Sequence, residues 1–192
     1  MAQNISKEEQ KKICAMFFYL QDISLELQVC SNILNQAAIK LKTEGKVDII
    51  SLASLARMVF NYTVINVFKV GELIEKNQGF IKTYFPKSIE GLNGFRKKFY
   101  TEDLKAYRSK YVAHHLDTDT NSFLSREELL KLMCSILEIN NANEMIEGLV
   151  KYMSNFYGKS NYSKEDIDTL SYLIHNLSLE ISDDLKIELK RS

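Results

Sequence analysis

Apolar residues between positions 13 and 41 follow one another at steps of three and four without a break. This spacing keeps them on one face of an α-helix, which has 3.6 residues per turn. Just before the run, Ser6 and Glu9 form a capping-box pattern, in which each side chain bonds the other residue's backbone N–H. The sequence therefore predicts one helix over residues 7–42, about 54 Å long at 1.5 Å per residue. A break near Ser31 is the alternative, and the uninterrupted periodicity favours the single helix.

Composition supports a helical fold. The 192 residues include only seven Gly and one Pro, whereas an all-β domain of this length needs a turn signal about every ten residues. A hydrophobic content of 45% excludes a disordered chain, and the low Gly and Pro content excludes a collagen-like one. We expect residues 1–192 to form a single all-α domain, a bundle of five or six helices.

The remaining helices are predicted from apolar runs and capping residues. Residues 49–76 are apolar around most of the helical circumference, which is typical of a central buried helix. A loop over residues 77–86 and a short segment follow it. Thr101, Ser125 and Ser163 then mark three helix starts, since each is followed by acidic residues in the first turn. The last of these helices is expected to run to the C-terminus.

Cysteine usage and hydropathy bear on the cellular setting. Three cysteines, odd in number and far apart, fit neither a disulfide framework nor a zinc site, so we expect buried thiols in a reducing environment. The apolar run Ile13–Leu20 lacks a signal-peptide cleavage pattern. The uncharged run Met58–Phe68 is too short to span a bilayer. These features predict a cytoplasmic protein that does not contact membranes.

One segment is basic in a chain whose charges otherwise balance, with 25 Lys and Arg against 25 Asp and Glu. Between residues 96 and 115, six basic side chains outnumber two acidic ones and alternate with aromatic rings. Cations bind phosphates and rings stack on unpaired bases, so the segment predicts binding of single-stranded nucleic acid. A solvated helix face with its tyrosines in the core is the alternative. The candidate RNA-binding residues are Lys97, Lys98, Lys105, Lys110 and Tyr111.

Two of the three histidines lie in the same segment, at the predicted end of the helix that carries Arg108. At 100° per residue, Arg108 and His115 are nearly in line, and His114 is offset by about a third of a turn. A bend after Val112 would bring either imidazole beside the guanidinium. A histidine at a helix C-terminus also has a purely structural role, since it stabilises the helix dipole.

Residues 107–117, Tyr-Arg-Ser-Lys-Tyr-Val-Ala-His-His-Leu-Asp, resemble the motif of HEPN domains, in which a His follows an Arg after four to six residues. The most similar branch is that of the abortive-infection HEPN proteins. Arg108 and His114 take the two motif positions, and His115 also falls within the permitted spacing. Ser109 stands where the family often has Asn, and it keeps the position polar.

The resemblance implies a metal-independent endoribonuclease without a cofactor, acting as a toxin or phage-defence component. Its implied partners are RNA, a second copy of the chain and a cognate antitoxin or defence-system protein, with the two motifs of the dimer facing one cleft. Arg108 would hold the phosphate and His114 would act as acid or base, supported by His115 and Ser109. The alternative is a non-catalytic helical module that binds RNA or another protein.

Residues 117–128 also resemble an EF-hand calcium loop, because oxygen-bearing side chains recur at the ligand positions. Two departures weaken this interpretation: Ser122 replaces the usual glycine, and a second loop is missing. The capping box that begins at Ser125 also accounts for the final carboxylate. We therefore expect no metal site here. The calcium alternative would use Asp117, Asp119, Asn121 and Glu128.

Overall fold

Eight α-helices account for most of the residues that the computed structural model describes, which are 5–44, 49–113, 125–156 and 169–184. No strand occurs in these ranges, so the all-helical prediction is confirmed. The helices are α1 (Lys7–Glu44), α2 (Ile49–Lys76), α3 (Gln78–Tyr84), α4 (Ile89–Phe99), α5 (Glu102–Tyr107), α6 (Arg126–Leu137), α7 (Met145–Met153) and α8 (Leu170–Asp184). A π-helix (Arg108–Ala113) follows α5, and a 3₁₀ turn (Ala142–Glu144) precedes α7.

The long N-terminal helix is continuous, which confirms the single-helix prediction. The Ser6 N–H donates to Glu9 Oε2 at 2.9 Å, and the Glu9 N–H donates to Ser6 Oγ at 3.2 Å. The Tyr84 hydroxyl donates to the other Glu9 oxygen and so connects α3 to the start of α1. The hydrogen bond from Tyr84, followed by those from Ser6, lowers the pKa of Glu9 to about 2.

α2 lies at the centre of the bundle, as its apolar circumference predicts. It packs against α1, α3, α4, α5, the π-helix and α7. A helix that is apolar over most of its circumference is stable only when neighbouring helices cover most of that surface. The buried apolar side chains of α2 are Leu52, Ala56, Val59, Phe60, Val64, Val67, Val70 and Ile74.

The structure contains more helices than the five or six predicted. α3 occupies most of the segment 77–86 that the sequence analysis assigns to a loop, and α4 forms from the short segment after it. α3 is seven residues long, has a single buried residue, Ile81, and receives no side-chain cap from Asn77. So short a helix gives neither a capping pattern nor a second apolar repeat. It therefore cannot be recognised from the spacing of apolar residues in the sequence.

Two of the three predicted helix starts are confirmed. Thr101 Oγ1 accepts from the Leu104 N–H at 3.2 Å at the start of α5. Ser125 and Glu128 form the full capping box of α6. The start predicted at Ser163 lies outside the described residues. Within them, α8 begins at Leu170.

The three cysteines are free thiols, and each is half-buried instead of lying in the core as predicted. Cys14 and Cys30 lie on α1 and Cys134 lies on α6. Desolvation raises the pKa of the Cys14 and Cys30 thiols, and for Cys30 the charge of Glu26 adds to it.

Over Lys7–Ala37, α1 is long and apolar enough to cross a membrane by length and composition alone. The apolar run Ile13–Leu20 is only part of α1 and does not show this property, which depends on the length of the whole helix. Core helices of water-soluble proteins also meet the criterion. One face of α1 is buried against α2, α7 and α8.

A buried carboxylate connects α8 to the start of α4. Glu180 is 4% exposed, and it accepts from the Lys87 backbone N–H at 3.0 Å and from Ser88 Oγ at 2.8 Å. Ser88 is the residue before α4 and makes no side-chain capping bond of its own within that helix. The Glu180 carboxylate therefore supplies the acceptor for the donors at this helix start.

We expect Glu180→Ala to lower the free energy of unfolding by about 2 kcal/mol, because the buried Ser88 hydroxyl and the part-buried Lys87 N–H lose their acceptor. Glu180→Gln retains one acceptor oxygen and should have a smaller effect. Glu147 on α7 is exposed, so Glu147→Ala is the control and should change stability by less than about 0.5 kcal/mol. Urea titrations followed by circular dichroism measure all three. Equal effects of Glu180→Ala and Glu147→Ala would contradict the assignment.

Candidate functional site

The segment that carries Arg108 changes from α-helix to π-helix at that residue. α5 ends at Tyr107, and the π-helix begins directly with Arg108. At this junction, the backbone N–H of Arg108 donates to the backbone carbonyls of both Leu104 and Lys105. Short π-helical segments are rare and occur frequently at functional sites. The wider turn also changes the angular spacing on which the predicted alignment of Arg108 with the histidines depends, while His114 and His115 lie outside the described residues.

Tyr107 fixes the start of the π-helix to α2. The tyrosine is buried, and its hydroxyl donates to Asn61 Oδ1 at 2.7 Å. Its ring meets Phe60 edge-on, with the two centroids 5.0 Å apart. Desolvation raises the pKa of Tyr107, so the hydroxyl keeps its proton and acts as a neutral donor. The backbone immediately before Arg108 is therefore held in place.

Arg108 itself is half-buried and is held by a ring. Its guanidinium carbon lies 4.7 Å from the centroid of Phe68, over the ring, within the range of a cation–π interaction. Among the described residues, no carboxylate or other polar group forms an ion pair or hydrogen bond with this side chain. Within the described ranges, the aromatic ring is thus the partner that the structure shows for the Arg108 side chain.

The Arg108–Phe68 contact is one end of a row in which two adjacent rings lie between two cations. Phe68 meets Tyr100 edge-on at a centroid distance of 5.3 Å. Lys105 Nζ lies 4.4 Å from the Tyr100 centroid. Lys105 also pairs with Glu102 at 2.8 Å, and this hydrogen bond raises the pKa of the lysine. We call Lys105, Tyr100, Phe68 and Arg108 the cation–ring row.

The other predicted RNA-binding residues are spread over different surfaces. Lys97 is exposed on α4. Lys98 donates to Asn155 Oδ1 at 3.0 Å and lines a cleft of about 290 Å³ between α4, α6 and α7. Lys110 and Ser109 are half-buried in the π-helix, and only the backbone of Tyr111 is described. Within the basic segment, Lys105 and Arg108 therefore belong to the cation–ring row. Lys98 instead contacts Asn155, just after α7.

The predicted calcium loop lies largely outside the described residues, which include neither Asp117, Asp119 nor Asn121. Glu128 is described, and its Oε2 accepts from the Ser125 N–H at 2.9 Å and from the Ser125 hydroxyl at 2.6 Å. That carboxylate serves the helix cap. Within the described ranges, no group of three or more His, Cys, Asp and Glu side chains could hold a metal ion.

A second surface, exposed and apolar, lies between α1 and α2. All but one of the large apolar side chains that are exposed in the described residues belong to α1 and α2. Several of them line a groove of about 460 Å³ between these helices. We call this surface the α1–α2 apolar face, formed by Leu25, Val29, Ile33, Met58 and Tyr62.

Residues 41–142 match the family model described as the HEPN-like integron domain. The match covers more than half of the chain and contains Arg108, His114 and His115. It confirms the resemblance to HEPN domains, while the assignment to the abortive-infection branch stays a prediction. No curated protein and no solved structure shows a significant match to this chain.

Two residues of the site, Asn61 and Phe68, are not identifiable from the sequence, and Tyr100 stands out there only as one of the rings of the basic segment. Gly71 is the one signal that points to them, because a glycine inside a helical pattern often marks a close approach. A Cβ at Gly71 would lie 2.3 Å from Tyr100 Cδ2 and 2.6 Å from Tyr100 Cβ. The tyrosine ring therefore packs directly on the α2 backbone, one turn beyond Phe68.

Gly71→Ala should lower the free energy of unfolding by about 1–3 kcal/mol, because the new methyl group overlaps the stem of Tyr100, which cannot move aside without its backbone. Gly94→Ala is the matched control, since a Cβ at Gly94 meets nothing within 4 Å. In the middle of α4 it should stabilise the protein by about 0.5–1 kcal/mol through helix propensity. Thermal and urea unfolding measure both. A stabilising Gly71→Ala would show that Tyr100 does not pack as described.

Proposed function

Because this chain belongs to the HEPN-like integron domain family, we propose that it is a metal-independent endoribonuclease with Arg108 and His114 as its catalytic pair. The observation that carries the proposal is the state of Arg108. Its guanidinium is held over Phe68 and has no carboxylate partner among the described residues. A fixed guanidinium with unused N–H donors is suited to bind a phosphate.

The chemistry of RNA cleavage fits these residue types. Attack by the RNA's own 2′-hydroxyl on the adjacent phosphorus forms a cyclic phosphate and breaks the bond to the 5′-oxygen. A base must accept the 2′-hydroxyl proton, and an acid must supply a proton to the leaving oxygen. The planar fork of Arg108 binds two phosphate oxygens at once and stabilises the developing charge. Imidazole, with an ordinary pKa of about 6.5, suits His114 to either proton transfer.

A substrate path follows from the cation–ring row. Lys105 and Arg108 mark its two ends, and Tyr100 lies between them. We propose that single-stranded RNA runs along this row, with phosphates near the two cations. Lys97, Lys98 and Lys110 would add charge on the flanking surfaces, and Tyr111, His115 and Ser109 would support the catalytic pair.

The proposal includes a homodimer, since one histidine cannot act as base and acid in the same step and a two-fold dimer supplies a second. The α1–α2 apolar face is the candidate contact surface. Val29 is 56% exposed and Met58 is 62% exposed, and patches of this kind mark protein contacts. The face also adjoins the site along α2, because Tyr62 of the face directly follows Asn61, the partner of Tyr107.

The biological setting remains part of the same proposal. A cytoplasmic ribonuclease that attacks cellular RNA must be restrained, so we propose a toxin or phage-defence role with a cognate antitoxin or defence-system protein as partner. The resemblance of residues 107–117 to the abortive-infection HEPN motif supports this assignment.

Purified protein incubated with total RNA in EDTA should cleave it, and Arg108→Ala and His114→Ala should each reduce the rate by a factor of about 100 or more. Arg108→Lys keeps the charge without the fork and should also lose most activity. The matched controls are Arg126→Ala on α6 and His175→Ala on α8, both at exposed positions. These two variants should cleave like the wild type.

Circular dichroism establishes that each variant folds. RNA binding without cleavage by the wild type would favour the non-catalytic module. Equal cleavage by all variants would identify a contaminating nuclease and contradict the proposed catalytic pair.

The dimer has its own test. We expect the wild type to sediment as a dimer of its 22.2 kDa chain. Val29→Glu and Met58→Glu should each sediment as a monomer with strongly reduced cleavage, because symmetry-related carboxylates would be buried in an apolar contact. Leu179→Glu is the control, because Leu179 is 47% exposed on α8, outside the face. Sedimentation velocity separates the two species. A monomeric wild type, or a dimer unaffected by both α1 and α2 substitutions, would exclude this contact surface.

A further inference from the structure

We propose that Phe68 is the positioning residue for Arg108, holding the guanidinium so that its N–H donors face the substrate phosphate. The inference rests on the proposed ribonuclease function and adds a residue 40 positions away from the motif in the sequence. The Arg108 guanidinium carbon lies 4.7 Å from the Phe68 centroid. A phenyl ring attracts the cation without accepting a conventional hydrogen bond from it, so this contact does not use up the five N–H donors of the guanidinium. Among the described residues, the ring thus restrains the side chain while no polar group takes its donors.

The Phe68 ring is itself restrained. Its neighbour Tyr100 meets it edge-on, which leaves a face of Phe68 for Arg108. Tyr100 is in turn packed against the α2 backbone at Gly71 on one side and contacted by Lys105 from another. Rotation of Phe68 would therefore have to displace a packed ring, and the platform under Arg108 keeps one orientation.

A ring serves this purpose better than a carboxylate would. An Asp or Glu holds an arginine through its N–H groups and neutralises its charge, and these are the groups and the charge that a phosphate needs. Two other cations of the segment show this arrangement: Arg96 bonds Glu75 at 3.1 Å, and Lys105 bonds Glu102 at 2.8 Å. Arg108 differs from both in being held by an aromatic face alone among the described residues.

Backbone geometry makes the side-chain restraint necessary. Arg108 begins a π-helix, and its backbone is fixed by the Tyr107–Asn61 hydrogen bond just before it. An arginine side chain on a fixed backbone still has several freely rotating bonds. Phe68 removes that remaining freedom, which the catalytic step would otherwise have to remove each time a phosphate binds.

The first experiment compares steady-state cleavage of a defined single-stranded RNA by the wild type, Phe68→Leu and Phe68→Tyr. Phe68→Leu keeps an apolar side chain and removes the π face, so kcat should fall about tenfold or more while KM changes less. Phe68→Tyr keeps the ring and should retain kcat within about threefold. Phe80→Leu is the matched control, because Lys12 lies over Phe80 at 4.4 Å in a pair on α1 and α3, and its kcat should equal that of the wild type.

The second experiment does not depend on cleavage. The sequence has no tryptophan, so Phe68→Trp introduces a single fluorescent reporter at the contact. Removing the guanidinium with Arg108→Ala in this background should expose the indole and raise acrylamide quenching about twofold. The control places the reporter at Phe80, as Phe80→Trp, where Arg108→Ala should leave quenching unchanged.

The outcomes separate this inference from the proposed function. If the wild type cleaves RNA and Phe68→Leu retains full kcat, or if Phe68→Tyr loses as much as Phe68→Leu, the positioning role is wrong and the ribonuclease assignment stands. If the wild type does not cleave RNA, the proposed function is wrong, and the quenching experiment decides whether Phe68 holds Arg108. Unchanged quenching on loss of Arg108 would overturn the contact itself.

Discussion

Burial of the apolar surface of α2 is the constraint from which the rest of the arrangement follows. A helix that is apolar over most of its circumference is stable only inside a bundle, and α2 has buried residues along its length from Leu52 to Ile74. α1 packs against one side of it, and α4, α5, the π-helix and α7 pack against others. The residues that contact α2 are therefore positioned by core packing, and the candidate site includes three of them, Tyr100, Tyr107 and Arg108.

Asn61 and Phe68 stand seven residues apart on α2, about two helical turns, and so lie on the same side of it. They hold consecutive residues of the opposing segment, Asn61 through a hydrogen bond to Tyr107 and Phe68 through the guanidinium of Arg108. One contact would fix a point and leave the segment free to turn about it. Two contacts of different chemistry fix both the place of the backbone and the direction of the side chain.

Local interactions explain which parts the sequence could predict. α1, α2 and the capping boxes at Ser6 and Ser125 depend on residues a few positions apart, so their patterns are visible along the chain. The π-helix has no such pattern, and Phe68 has the same apolar character as a core residue until its three-dimensional neighbour is known. Arg108 could be found from its motif, whereas the ring that orients it could not.

The zero net charge of the chain bears on how this protein could bind an anion. Surface cations such as Lys76 and Lys131 pair with carboxylates one turn away, and exposed pairs of this kind add little stability while cancelling the field around each cation. A chain with no net charge has no overall field that attracts an anion from a distance. Under the proposed function, recognition of a phosphate would depend on cations close to it. A ring can hold such a cation without neutralising it, and an aromatic platform under Arg108 would serve that purpose in a protein whose charges otherwise balance.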